Sequence, residues 1–227
     1  MAQEITIALA GNPNSGKTTV FNNLTGSRQH VGNWPGVTVE KKEGSCSHKG
    51  YSVKVVDLPG VYSLTAYSPD EIIARDFILE EAPDAVVDIV DASNLERNLY
   101  LTVQLMEMGA RLIVALNMMD QADSRDYRID VAGLSHLLEV PVIPLVASRN
   151  QGTTELLDEI VKLAKSKVQA TKIRLEYGRE VEEELAKLEE LISQSRLASK
   201  YSPRWLAVKL LEGDEEIVKK FEEVKVA

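Results

Sequence analysis

The sequence predicts an α/β fold, in which a six-stranded, mostly parallel sheet is covered by helices on both faces and is followed by a small all-α domain. Strand-like and helix-like segments alternate up to residue 166, which is typical of parallel strands joined by crossover helices. A glycine-rich motif lies directly between the first strand and the first helix. From residue 167 onwards the apolar spacing is helical only. We therefore expect an α/β domain at residues 1–166 and a helical domain at residues 167–227.

Six strands are predicted from short apolar or β-branched runs that end at turn residues. They comprise residues 4–10, 37–47, 52–58, 85–92, 111–118 and 142–146. The second and third form a hairpin around Lys49 and Gly50, so one strand is antiparallel. The motifs described below follow strands, and the ligand crevice of such a sheet lies at the carboxyl ends of its strands. We therefore expect the motifs to meet at one edge.

Helices are predicted from apolar residues spaced three and four positions apart. Five lie in the first domain, and two of them begin with capping boxes at Ser68 and Ser93. Three more follow in the tail, around residues 181–192, 202–210 and 213–221. The tail is nearly balanced in charge and slightly acidic, so its helices present no basic face for RNA.

Composition limits the class of protein further. The chain has 227 residues, 44% of them hydrophobic, and a formal net charge of −9, which argues against a nucleic-acid partner. The single cysteine, Cys46, excludes a disulfide framework. The N-terminus lacks a cationic signal-peptide segment, and no apolar run reaches the about 18 residues of a membrane span. These features indicate a soluble, cytosolic protein.

The glycine-rich motif fits the phosphate-loop pattern G-x-x-x-x-G-K-[ST]. Its glycines let backbone N–H groups surround phosphate oxygens, and the helix that follows adds its positive dipole end. Lys17 is expected to bridge the β- and γ-phosphates, and Thr18 to offer its hydroxyl to Mg²⁺. The alternative is a plain glycine turn before a helix. The predicted nucleotide-binding residues here are Gly11, Asn12, Pro13, Asn14, Ser15, Gly16, Lys17, Thr18 and Thr19.

Two further segments are candidates for sensing the γ-phosphate. Asp57, Leu58, Pro59 and Gly60 form a D-x-x-G motif, in which Asp57 holds Mg²⁺ through water and the N–H of Gly60 approaches the γ-phosphate. Thr38 follows an aperiodic stretch that ends in Gly36 and Val37, and a threonine there can close onto Mg²⁺ and the γ-phosphate. An ordinary threonine at the start of a strand is the alternative for Thr38.

Base selection is predicted at two other strand ends. Asn117, Met118 and Asp120 belong to an N-x-x-D motif. The Asp120 carboxylate can accept two hydrogen bonds from guanine, whereas adenine has neither donor. Asn117 is expected to brace the neighbouring loops. The backbone of Ala147, Ser148 and Arg149 could support the base, although a simple exit from a strand explains that segment as well.

Together these motifs resemble those of Ras-type small GTPases, and longer stretches are similar to the cytosolic N-terminal part of the ferrous iron transport protein B family. The similar stretches are residues 11–18, 33–40, 57–64, 117–120 and 201–214. The resemblance covers essentially the whole chain and implies a P-loop NTPase fold with a Ras-like G domain that binds GTP and hydrolyses it. It also implies a helical domain, similar to a nucleotide-dissociation inhibitor, that leads to a Fe²⁺-transporting membrane region. On this reading the chain is a soluble fragment at the cytoplasmic face of the cell membrane.

Hydrolysis presents an anomaly, because Val61 stands where Ras-type enzymes place a glutamine that orients water. The sequence offers no arginine finger either. The resemblance implies an activating potassium ion held by Asn14 and by backbone carbonyls before Thr38, in place of the arginine. Alternatively, Asn14 merely tolerates a left-handed turn. The catalytic set is then Asn14, Lys17, Thr38 and Gly60, and slow turnover is expected.

Two other functions stay open on the sequence. One is a soluble GTP-dependent switch that acts on RNA or on ribosome assembly, and the other is a nucleotide-dependent interaction module without hydrolysis. Histidines at positions 30, 48 and 136 are scattered, so no iron site is predicted in this chain. The oligomeric state is left open, with a homo-oligomer among the options.

Overall fold

The computed structural model describes residues 3–166 and 175–226. Its strands are β1 (Gln3–Gly11), β2 (Gln29–Asn33), β3 (Glu40–His48), β4 (Tyr51–Asp57), β5 (Ala85–Asp91), β6 (Leu112–Asn117) and β7 (Val142–Pro144). Its α-helices are α1 (Lys17–Thr25), α2 (Pro69–Asp76), α3 (Leu95–Glu107), α4 (Met119–Ser124), α5 (Val131–Leu138), α6 (Thr153–Lys165), α7 (Arg179–Ser193), α8 (Pro203–Leu211) and α9 (Glu215–Val226). A π-helical turn, Phe77–Glu81, extends α2.

The strands form one sheet in the order β2-β3-β4-β1-β5-β6-β7. Pairings among β4, β1, β5, β6 and β7 are parallel, whereas β2–β3 and β3–β4 are antiparallel. The predicted α/β class, with its largely parallel sheet, is therefore confirmed. The three tail helices are confirmed as α7, α8 and α9. The predicted domain boundary after residue 166 falls at residues 167–174, outside the described part of the chain.

The strand count of six is wrong, because the sheet has seven strands. The additional strand, β2, pairs antiparallel with β3 at the open edge of the sheet. Its side chains are mostly exposed, so it needs no alternation of apolar and polar residues and gives no signal in the sequence. Residues 34–39 form the turn between these strands, which is why β3 begins at Glu40 rather than at residue 37.

Two local predictions about helices also need correction. A sixth helix of the first domain, α4, was not predicted, because it has six residues and buries only Ala122. The capping box at Ser68 is present, but the one at Ser93 is not. Instead, the Asp91 carboxylate accepts hydrogen bonds from the Ser93 N–H and hydroxyl, both at 2.8 Å, and starts a 3₁₀ turn before α3.

Each face of the sheet has its own hydrophobic core. On one face α1 and α6 pack against β1, β4, β5 and β6, with Phe21, Leu156 and Ile160 fully buried. On the other face α3 packs through Leu101 and Leu105. The second core continues without interruption into the tail helices, so the tail packs against the sheet domain.

Polar contacts connect the tail to α2. Arg75 of α2 donates to the Asp214 carboxylate at 2.7 Å, and both side chains are buried. The second oxygen of Asp214 accepts from the N–H groups of Glu216 and Ile217 and so caps α9. Tyr201 donates to Glu80 in the π-helical turn at 3.1 Å. The tail is therefore attached to the helix that follows the D-x-x-G motif.

None of the helices in the described ranges combines the length and the hydropathy that a membrane span requires.

Replacing Arg75 should loosen this attachment. Arg75→Met leaves the buried Asp214 carboxylate unpaired, so we expect a loss of about 3 kcal/mol in the free energy of unfolding, measured by urea titration. Arg75→Met/Asp214→Asn should recover part of the loss, because it removes the charge and keeps the helix cap. Arg179→Met removes an exposed ion pair with Glu183 and serves as the control, with an expected loss below about 0.5 kcal/mol. Equal losses of unfolding free energy for Arg75→Met and Arg179→Met would contradict the conclusion that the buried ion pair attaches the tail to α2.

Candidate functional site

The predicted motifs meet at the carboxyl ends of β1, β4, β6 and β7. The Leu58 N–H donates to the Leu9 carbonyl at 3.0 Å, which joins the D-x-x-G segment to the end of β1. The Leu145 N–H donates to the Leu116 carbonyl at 2.7 Å, and the Met119 N–H donates to the Leu145 carbonyl at 3.3 Å. The expectation that the motifs share one edge is confirmed for these segments, and Thr38 is the exception described below.

At Gly16 the phosphate loop comes into close contact with Asn117 of the N-x-x-D segment. It caps the N-terminus of α1 at a φ of 90°, in the left-handed region that favours glycine. A Cβ atom there would lie 2.3 Å from Nδ2 of Asn117. The phosphate loop can therefore pack against the N-x-x-D segment only because Gly16 has no side chain.

Asn117 links two loops from its position at the end of β6. Its Nδ2 donates to the Ser15 carbonyl at 2.9 Å, and its Oδ1 accepts from the Ala147 N–H at 3.0 Å. The side chain is buried, so these bonds do not compete with solvent. The sequence-based expectation that Asn117 braces neighbouring loops agrees with this geometry.

Lys17 and Asp57 form an ion pair where α1 begins and β4 ends. Thr18 is exposed at the next position of α1. A hydroxyl and a carboxylate at one sheet edge are the oxygen donors that Mg²⁺ prefers, so these residues fit the metal that the family resemblance implies. Asn12 is buried in the same loop and its side chain has no hydrogen-bond partner among the described residues.

The residues predicted to select the base lie next to this loop. The Met118 Cε would lie 3.6 Å from a Cβ placed on Gly16, so the thioether is adjacent to the phosphate loop. An oxygen of Asp120 lies 3.7 Å from Nη2 of Arg149. Sequence reasoning assigned only a backbone role to residues 147–149 and missed this side-chain contact, since no local spacing relates residues that far apart.

The segment predicted to sense the γ-phosphate, residues 34–39 and here called the first switch segment, lies in the turn between β2 and β3, with Gly36, Val37 and Thr38 exposed. Within the described ranges, no hydrogen bond or ion pair joins Thr38 to residues 11–18 or 57–60. Trp34 is buried instead, with its ring edge-on to Phe77 at 5.5 Å between centroids. The structure thus brings together the residues predicted to bind phosphate and base but does not bring Thr38 to them.

Two carboxyl groups with strongly shifted pKa values lie outside this edge. Burial raises the pKa of Asp88, beneath α3, to about 7, although Thr102 opposes the shift by donating a hydrogen bond. Burial also raises the pKa of Glu107, in the last turn of α3, to about 6. Both groups belong to the packing of α3 rather than to the motifs.

Comparison with known families agrees with the geometry. The family described as Ferrous iron transport protein B matches residues 5–160, and the FeoB cytosolic helical domain matches residues 177–226. The chain belongs to the ferrous iron transport protein B (FeoB) family. These matches give no support to the RNA-directed alternative.

FeoB relatives are similar along nearly the whole chain. The Fe(2+) transporter FeoB of Escherichia coli (strain K12) is 47% identical over 224 residues, covering 93% of this chain and 27% of that protein. A fusion of Fe(2+) transport protein A with Fe(2+) transporter FeoB from Porphyromonas gingivalis is 45% identical over 217 residues, covering 94% and 26%. The chain thus spans about a quarter of the length of these relatives.

A solved FeoB structure shares the fold. The cytosolic domain of the T. maritima FeoB iron transporter in GDP form II has a TM-score of 0.93 and 40% identity, over 98% of this chain and 87% of that chain. The same domain in its GMPPNP form has a TM-score of 0.92 at 40% identity, over 97% and 86%. The predicted G domain followed by a helical domain is therefore the architecture of this family.

Gly16→Ala should destabilise the protein by more than the strain of placing an alanine at a φ of 90°. Asn117 is held by two hydrogen bonds and cannot move away from an added Cβ. We therefore expect Gly16→Ala to lower the free energy of unfolding by at least about 2 kcal/mol more than Gly50→Ala does. Gly50 is the matched control, because its φ is 83° and nothing lies within 4 Å of its Cβ direction. Urea unfolding measures both variants. Equal losses would mean that the contact with Asn117 has no steric role.

Proposed function

We propose that this chain binds GTP and hydrolyses it slowly, as the regulatory domain of a Fe²⁺ membrane transporter at the cytoplasmic face of the membrane. One observation carries the proposal: Asn117 holds the phosphate loop and the loop at Ala147 together, beside the carboxylate of Asp120. Phosphate and base recognition thereby share one rigid edge. The FeoB relatives, named as Fe(2+) transporters, support the link to iron.

Phosphate recognition is assigned to backbone amides and one ammonium group. The first-turn N–H groups of α1, at Lys17 and Thr18, have no partners within the helix and are available to phosphate oxygens. The Lys17 ammonium donates to the β- and γ-phosphates, and the Gly60 N–H donates to the γ-phosphate. Gly11, Asn12, Pro13, Ser15, Thr19, Leu58 and Pro59 complete the proposed wall around the phosphates.

Thr18 and Asp57 would hold Mg²⁺, with Thr38 joining them when the first switch segment closes. When bound, the metal offsets negative charge on the phosphate oxygens. Closure requires Trp34 to leave Phe77 or the turn at residues 35–38 to rearrange around it. Gly36 and Val37 move with Thr38, so nucleotide state controls the shape of this segment.

Slow turnover is proposed because Val61 stands at the position of the water-orienting glutamine of Ras-type enzymes, and its side chain cannot form hydrogen bonds. Val61 is buried, and its N–H donates to the Gly11 carbonyl at 3.3 Å. Asn14 is exposed in the phosphate loop at a φ of 67°, so its amide can reach a cation such as K⁺ beside the phosphates. The left-handed backbone alone also explains an asparagine here, and the experiment below separates the two explanations.

Domains are proposed at residues 1–166, the G domain, and 167–227, the helical domain. The ion pair between Arg75 and Asp214 supports a relay from α2 to the tail. In the parent protein, a transmembrane iron-transport region would receive that signal.

Guanine selectivity should depend on Asp120. GTP turnover should exceed ATP turnover by at least about 100-fold, because adenine would cover this carboxylate without offering it a hydrogen-bond donor. Asp120→Ala should weaken GDP binding by about 100-fold in calorimetry, as two charge-assisted hydrogen bonds are lost. The control is Asp123→Ala, an exposed carboxylate on the same short helix. Equal GTP and ATP turnover in the unmodified chain would refute the proposed base site.

Turnover should be faster in KCl than in NaCl by about tenfold, since a cation beside the phosphates stabilises transferring charge. Asn14→Gly should abolish that difference, because glycine keeps the left-handed backbone and removes only the amide. Asp126→Gly, at another left-handed position with a φ of 60°, is the control and should retain it. A potassium response that survives Asn14→Gly would leave Asn14 with a purely conformational role.

A further inference from the structure

The second switch loop, residues 58–64, is held against the phosphate loop on one side. The Val61 N–H donates to the Gly11 carbonyl at 3.3 Å. A Cβ on Gly60 would lie 3.5 Å from the Cα of Pro13, an ordinary van der Waals distance. Gly60 therefore already lies beside the phosphate loop in this structure.

Helix α3 holds the same loop from the other side. The Leu64 N–H donates to Oε1 of Gln104 at 2.7 Å, and both residues are buried. Water does not reach this N–H, so loss of the Gln104 oxygen would leave it unpaired. Seven positions earlier on α3, the Arg97 guanidinium lies 4.1 Å from the centre of the Tyr62 ring. We call Gln104 and Arg97 together the α3 clamp.

No sequence motif includes the α3 clamp, and neither residue is among those assigned to phosphate or base recognition. Its two contacts fall on residues 62 and 64, directly after Gly60 and Val61. Because Val61 supplies no polar side chain at the position after Gly60, we assign the contact with the γ-phosphate to the Gly60 N–H of this loop. The position of the Gly60 N–H then depends on what holds residues 61–64.

We propose that Gln104 and Arg97 are positioning residues for GTP hydrolysis. They hold the second switch loop in the position from which the Gly60 N–H donates a hydrogen bond to the γ-phosphate. The proposal rests on the proposed function, since it requires GTP as the ligand. GDP lacks the phosphoryl group that Gly60 would contact. Loosening the clamp therefore lowers GTP turnover and affinity for a GTP analogue, and it leaves GDP affinity unchanged.

Arg97 distinguishes positioning from general stability. Its side chain and that of Tyr62 are exposed, and an exposed cation–π pair contributes little to folding. A loss of turnover in Arg97→Met would therefore not arise from unfolding. Tyr62→Phe keeps the aromatic face and should behave like the unmodified chain.

The test uses the full chain with four variants: Gln104→Met, Gln104→Glu, Arg97→Met and Tyr62→Phe. Methionine has the length of glutamine without its acceptor oxygen, whereas glutamate retains an oxygen for the Leu64 N–H. Gln194→Met and Arg128→Met are matched controls at exposed positions. Steady-state kinetics with GTP give kcat and KM, calorimetry gives Kd for GDP and GMPPNP, and thermal unfolding reports stability.

We expect Gln104→Met to lower kcat by about tenfold and to weaken GMPPNP binding by a similar factor, with GDP binding within about twofold. Gln104→Glu should restore most of the kcat, and Arg97→Met should lower it by about threefold without a change in unfolding temperature.

Unchanged kcat in both Gln104→Met and Arg97→Met would overturn the proposal, as would equal losses of GDP and GMPPNP affinity. Should Gln104→Met not fold, Arg97→Met decides the question alone. Failure of the unmodified chain to bind GDP or GMPPNP would instead refute the proposed function, which is a different result.

Discussion

The arrangement of the whole site depends on one buried amide, the side chain of Asn117, bonded to Ser15 on one side and Ala147 on the other. Three segments far apart in sequence are held in register by these two bonds. Asn117 can form these bonds only because Gly16 has no side chain, since a Cβ there would collide with the Asn117 amide. A buried amide satisfied at both ends is rigid, because any displacement leaves a polar group unpaired.

Helix α2 and its π-helical turn lie between the site and the tail. Phe77 contacts Trp34 of the first switch segment, and Arg75 and Glu80 contact the tail at Asp214 and Tyr201. Residues 65–68 connect the second switch loop to this helix. Both predicted switch segments are therefore connected to the same short element, which is joined to the tail by a buried charge pair.

Much of the site could be predicted because its chemistry is local. Gly16, Lys17 and Thr18 are recognisable from spacing alone, since a backbone that encloses phosphate needs glycine and a helix N-terminus at fixed separations. The strand β2 and the helix α4 could not be predicted, because neither buries enough side chains to impose a periodicity. Contacts between residues that are distant in sequence, such as Asp120 with Arg149, cannot be predicted from local residue spacing.

By itself the sequence determined the α/β class, the order of the motifs, the helical tail and the residue types available to phosphate, guanine and metal. Backbone geometry and side-chain chemistry fix these features within a few residues of each position. Only the tertiary structure decided that Trp34 packs on Phe77 with Thr38 exposed, and that Gln104 holds the Leu64 N–H. Such contacts follow from how whole helices pack on the sheet, a property of the assembled core rather than of any segment.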